Sequence, residues 1–230
     1  KMGAVTVTLN AAPSGDFGLT GTVTIKSLDL NNAAATFARL NWARAFDFNG
    51  DGTKDLLNPG AALPTPAELT IDFAASLQMK VSGSVTGTPL LTAGPVTIGG
   101  TAEFALTRQT ADVDTDGNGT PDLLGATVDA IALTVANASV VVTGVADMSV
   151  SGALAIARVT PSGVGATTRY TALKMGAVTV TLNAAPSGDF GLTGTVTIKS
   201  LDLNNAAATF ARLSWARAFD FNGDGTKDLL

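Results

Sequence analysis

Residues 1–57 recur at 174–230 with a single difference, Asn41 becoming Ser214, at a constant offset of 173 positions. Such a chain cannot fold as an arbitrary globule, because whatever the first copy builds must also be able to follow directly on the end of the period. The spacing predicts a tandem array that continues in both directions, of which this chain covers one period and the first third of the next.

The period divides again. DFNGDGTKDLL at 47–57 aligns without a gap to DTDGNGTPDLL at 114–124 with seven of eleven positions identical, and ATFA (35–38) meets AEFA (102–105) in the same register. The runs VTVTLNAA (5–12), LTIDFAAS (69–76) and LTVANAS (133–139) open the successive units. Unit limits are therefore expected at 1–57, 58–124, 125–173 and 174–230, about 58 residues apiece, the last being the first unit of a new period. The third unit's loop, TPSGVGATTRY at 160–170, carries no acidic ladder and reads as a plain Gly-containing turn. TALKMGAVTVTL crosses Leu173 and Lys174 without a break in strand character, so the copies should share a sheet or abut. NPGAALPTP (58–66) reads as an ordered excursion more than a tether.

Within units the apolar period is two. Leu77, Met79, Val81 and Val85 alternate with Gln78, Lys80, Ser82 and Ser84, as Val5, Val7 and Leu9 do with Thr6, Thr8 and Asn10. Alternation of this kind marks strands wet on one face, which favours antiparallel pairing or an open solenoid face. The chain is 46% hydrophobic and 14% charged, enough for a core, but with 6% aromatics that core should be thin and closely spaced. Asp outnumbers Glu 17 to 2, which favours turns over helices. ATFARLNWARAF (35–46) contains good helix formers, yet its aligned partner AEFALTRQTADV alternates, so strand is expected for both. The class expected is all-β, elongated and repetitive, either solenoid-like or made of abutting antiparallel sandwich units.

Several functions are argued against by what is missing. With no Cys and no His there are no disulfides, no thiolate chemistry, no ordinary zinc site and no imidazole base. No G-x-S-x-G, phosphate-cradling or dinucleotide-binding glycine pattern occurs, and an enzyme is not expected. A net charge of −5 with scattered Lys and Arg argues against nucleic acid. Apolar runs are too short to insert this segment into a membrane as helices, and no leader pattern is present. Trp42, Trp215 and Tyr170 are read as aromatics anchoring the sheet, with a sugar-stacking platform as the alternative.

The chemistry sits in the acidic loops. Asp47, Asn49, Asp51 and Asp55 occupy positions 1, 3, 5 and 9 of residues 47–55, with the Thr53 carbonyl at position 7. Asp114, Asp116, Asn118, Thr120 and Asp122 repeat this at 114–122, and Asp220, Asn222, Asp224, Thr226 and Asp228 at 220–228. Hard oxygens at such spacing are the donor set of Ca²⁺, whose positive charge would relieve the carboxylate repulsion. Asp112, just ahead of the second loop, is a candidate outer-shell group. Position 12 is Asn58 or Gly125 where an EF-hand has Glu, so affinity should be modest. The plainer reading is a solvated turn built on Asn-Gly and Asp-Gly.

At these residues the chain resembles the acidic loops of FG-GAP and VCBS-type repeats and other DxDxDG calcium loops of bacterial surface proteins. The likeness covers about eleven residues per unit and implies calcium at the positions matching Asp47, Asn49, Asp51 and Asp55. The flanking strands do not follow the FG-GAP blade pattern, so a closed propeller is not implied. The near-identical long repeats are similar in organisation to giant bacterial adhesins. Together these readings lead to an expected extracellular or cell-surface segment, a calcium-stabilised stalk, filament or adhesin whose partners are neighbouring copies of the same repeat, by homotypic fibre assembly. A ligand- or glycan-binding adhesin module is the alternative.

Overall fold

The computed structural model describes residues 1–9, 18–19, 21–93, 96–142, 146–184, 194–221 and 225–229. Nine strands form one antiparallel sheet: β1 (Met2–Leu9), β2 (Gly18–Leu19), β3 (Gly21–Leu30), β4 (Leu77–Ala93), β5 (Val96–Val113), β6 (Leu123–Val142), β7 (Ala146–Thr160), β8 (Tyr170–Ala184) and β9 (Gly194–Ala206). Their spatial order is β1-β3-β4-β5-β6-β7-β8-β9, with the short β2 also lying against β4. The expectation of an all-β chain holds. The sheet is open, with β1 and β9 at its edges, and no second sheet faces it among the described residues. A 3-10 turn at Pro59–Ala62 interrupts the excursion after β3, and among the described residues no helix is long and apolar enough to cross a membrane.

Register shows how the two-residue period becomes two unlike faces. Leu28, Val81, Leu106, Ile131, Ile156, Leu173 and Leu203 are successive cross-strand partners, and so are Ile25, Gly83, Phe104, Leu133, Leu154, Met175 and Leu201. Rows of large side chains directly opposite one another are the unit of sheet stabilisation, each pair contributing roughly 0.2–1 kcal/mol. The opposite face is lined by small residues, with Ser82, Ala105, Ala132 and Ala155 in one row. Gly83 falls in an aliphatic row for a steric reason: a Cβ there would overlap the Thr24 carbonyl oxygen of β3.

Because the strands form a meander, alternate connections fall on opposite margins of the sheet. The links after β3, β5 and β7, and the chain after β9, all lie on one margin; these are residues 31–76, 114–122, 161–169, 207–221 and 225–229. All three acidic loops are therefore on the same side. The main buried cluster is also here, joining Ala111, Val113, Leu123, Ala126, Val128, Val159 and Tyr170 of the sheet to Leu213, Ala218 and Phe219 of the last excursion. Val128, Val159 and Tyr170 share a row that continues the small-residue face, where little side-chain bulk stands in the way of a covering segment.

The two copies of the repeat are built alike. Met2 pairs with Leu28 and Val5 with Ile25; 173 residues later Met175 pairs with Leu201 and Val178 with Ile198. β8 itself runs through the junction at Leu173 and Lys174. The unit limit after Leu124 likewise falls inside β6. Units therefore share strands and one sheet continues across their joins.

One expectation fails. Residues 102–113 are strand, as expected, but 35–46 are irregular turns outside the sheet, in both copies. The Asn31 side chain causes the departure: it is buried and donates to the carbonyls of Leu40 (3.0 Å) and Ala74 (3.1 Å) while accepting the Trp42 indole N–H (3.0 Å). Asn204 repeats the bonds to Leu213 and Trp215. A side chain that ties down backbone groups in this way competes directly with ladder pairing.

Candidate metal loops

The two fully described acidic loops are closed turns held by their own carboxylates. In the first, the Gly50 and Gly52 N–H groups donate to the two oxygens of Asp47 (2.7 and 3.0 Å), Asp51 N–H to Asn49 (3.0 Å), Thr53 N–H to Asp51 (2.7 Å), and Phe48 N–H to Asp55 (2.6 Å). The second reproduces it: Gly117 and Gly119 donate to Asp114 (2.7 and 2.8 Å), Asn118 to Asp116 (3.0 Å), Thr120 to Asn118 (2.7 Å) and Thr115 to Asp122 (2.9 Å). In the third, Gly225 donates to Asp220 (2.9 Å) and Phe221 to Asp228 (2.6 Å). Asn222 and Asp224 lie outside the described residues. The glycines at the third and fifth places after the first Asp allow this curl, since Gly52, Gly119 and Gly225, at the fifth, all have φ between 84° and 94°.

Positions 3 and 5 meet in both fully described loops. Asn49 Nδ2 donates to Asp51 Oδ2 at 3.0 Å, and Asn118 Nδ2 to Asp116 Oδ2 at 3.0 Å. Asp and Asn have exchanged places between the loops, yet the carboxylate–amide pair survives, with one charge in place of two. Positions 1 and 9 close the turn against the backbone, and Phe46 bridges to Asp55 as Phe219 does to Asp228. Among the described residues no three acidic side chains gather about one cation-sized point. The donor chemistry still fits a hard cation, because every group is an oxygen donor and a carboxylate oxygen accepting one N–H keeps a further lone pair.

The fixed N–H groups favour ionised carboxylates. Burial opposes the charge on Asp114, but the Gly119 and Gly117 amides, with Asp116 and the nearby Lys227 ammonium, hold it below the usual carboxylate range. Thr115 lowers Asp122 through its hydroxyl and then its amide against burial, and Thr53 does the same to Asp51. Asp114 is buried, while Asn49, Asp51, Thr53, Asp116, Asn118, Thr120, Asp122 and Thr226 are exposed.

Asp112 stands outside this arrangement. Its carboxylate accepts the Gly125 N–H at 2.7 Å, closing the base of the β5–β6 connection. The second and third loops lie side by side, since Asp114 N–H donates to the Ala218 carbonyl at 3.1 Å and Val113 bridges to Phe219. The 161–169 connection is the plain turn expected, with Arg169 N–H returning to Val159 at 2.8 Å. Sequence reasoning missed Asn31 and Asn204; the signal available was an Asn eleven residues before each Trp.

No protein-family model, no curated protein and no solved structure matches this chain.

Proposed function

We propose that the chain is a structural tandem-repeat segment of an extracellular bacterial surface protein, a stalk, filament or adhesin shaft whose acidic loops take up Ca²⁺. The observation that carries this reading is the continuity of the sheet across the join: β8 serves as the last strand of one period and the first of the next, and pairs with β9 in the register of β1 with β3. A repeat that hands on a strand edge in the geometry it received is suited to extension. Six strands, β1 and β3 to β7, precede the return of the pattern at β8, so each period should widen the ribbon by about 29 Å at roughly 4.8 Å per strand.

The aromatic groove needed for a glycan-binding module has little support. Tyr170 is 3% exposed, and the half-buried Trp42 has its indole N–H engaged by Asn31. Calcium would act through the loops' oxygen donors, supplying positive charge between carboxylates that otherwise rely on backbone N–H groups. Negative-stain images of chains carrying one and two additional periods test the structural role: the width of the ribbon across its strands should grow by a constant step of about 29 Å per period at the 4.8 Å strand spacing. Independent domains joined at variable angles would show no constant step, and the reading would fail.

A further inference from the structure

We infer that the aliphatic face of the sheet is a docking surface for the same face of a second chain, so that two ribbons lie face to face about 10 Å apart. This goes beyond extension along the sheet, which uses strand edges and leaves both faces as they are.

The face lies open in the middle of the chain. The two rows that run through Ile131 and Leu133, from β3 to β9, hold fourteen positions, and thirteen of them carry a large apolar side chain, Gly83 being the exception. Val23, Val85, Ala102 and Val135 continue them in a third row. None of the thirteen is buried. The reverse face of the same strands gives the comparison, since Val128 and Val159 are 1% and 0% exposed where the last excursion packs on them. Contacts between strands run between neighbours in the sheet, so among the described residues the sheet does not fold over to cover its own face. A further period adds strands beside β9 and lengthens this face without covering it.

Size and chemistry commit the face to a second copy. Fourteen positions and the four of the third row, each about 4.8 by 6.8 Å, make roughly 600 Å² in flat projection, and more once the relief of the side chains is counted. A stable interface takes about 800 Å² of accessible surface from each partner, and monomers rarely leave apolar patches beyond about 300–600 Å². No charged residue stands in the three rows, whereas the reverse face carries Lys80, Glu103, Lys174 and Asp202, all exposed, and is the wet one. Arg108, Asp129 and Arg158 border the rows toward the excursions, with Arg108 and Asp129 bonded to each other. An apolar centre inside a polar rim is the anatomy of a subunit interface, and a face with no directional polar group is matched by its own two-fold copy.

Sedimentation equilibrium of the 230-residue chain tests this, and a dimer is expected. Leu133→Lys, in the middle of the face, should weaken the dimer by about thirtyfold or more, and Ala132→Lys, one residue away on the reverse face, should leave it unchanged. Because the chain has no Cys, thiol alkylation supplies a second measurement that puts no charge into the sheet and decides the matter where Leu133→Lys does not fold. The thiol of the Leu133→Cys chain should react about tenfold more slowly in the dimer than after dilution to monomer, and that of the Ala132→Cys chain at one rate in both. A parent chain that stays monomeric at every concentration, a folded Leu133→Lys chain that pairs as well as Ala132→Lys, or a Leu133→Cys thiol that reacts equally in both states overturns the proposal. So does capture of the monomer by phosphatidylcholine vesicles in place of pairing. The width gained per period is the same with or without a facing partner, so failure of the face and failure of the structural role are told apart.

Discussion

Leu40 and Leu213 are the same residue of the same repeat, and Leu213 is 1% exposed where Leu40 is 44% exposed. Local structure does not account for the difference. The aromatic clusters beside them match, Phe46 stacking on Phe48 and Phe219 on Phe221 at 5.2 Å in each copy. What differs is the neighbour: the second copy lies on the buried cluster formed by Val113, Val128, Val159 and Tyr170, and within this chain the first copy has no such strands before it. The join between periods is thus where the repeat acquires its core.

Leu213→Ala should cost about 2–5 kcal/mol, the range for emptying a buried leucine site, whereas Leu40→Ala should cost less than about 1 kcal/mol. Urea unfolding of the two variants checks this. Equal losses would mean that the joint is not a core.

Gly83→Ala should destabilise by about 1–3 kcal/mol or separate β3 from β4, because the added methyl meets the Thr24 carbonyl oxygen of the neighbouring strand. Gly176→Ala, with nothing within 4 Å of the new methyl, serves as the comparison and should be within about 0.5 kcal/mol of the parent. Thermal midpoints that move together would refute the steric account.

Acid should weaken the loops before the sheet. Asp51, Asp114 and Asp122 have folded pKa values below their unfolded ones. Their contribution is therefore complete above the unfolded carboxylate range, near pH 4, and lost as pH falls through the folded values. Urea midpoints measured from pH 7 to pH 2 should fall across that window, and less steeply for the Asp114→Asn, Asp122→Asn double variant. A midpoint that rises on acidification contradicts the sign.

Calcium at ten times its dissociation constant should stabilise by roughly 1.4 kcal/mol per occupied loop. Chelation should lower the melting temperature correspondingly, and Asp51→Asn, which leaves positions 3 and 5 of its loop without a carboxylate, should reduce the number of ions bound by one in calorimetric titration. An unchanged melting temperature on chelation would leave the loops as Asx-type turns.

Much of the sheet is legible in the sequence because its information is local. The alternation of Leu77, Met79, Val81 and Val85 describes β4 directly, and the repeat offset leads to the strand shared across Leu173 and Lys174. The acidic loops are visible as curled turns for the same reason, their Asp and Gly spacing acting within a few residues. Residues 35–46 depart from expectation because alignment with 102–113 transfers strand character to a segment that Asn31 draws out of the sheet. The sequences around Leu40 and Leu213, alike but for Asn41 and Ser214, do not reveal their different burial, which depends on strands far away in the chain.

The number of strands per period has one more consequence. Six is even, so β8 runs in the direction of β1 and the second copy places its excursion on the same margin as the first. An odd count would have alternated the excursions between margins and balanced the ribbon. As built, one border carries both excursions that follow β3 and β9, so the sheet has a heavy hem. Swelling or tightening along that hem alone would curve the ribbon within its own plane, as a strip bends when one edge is shortened.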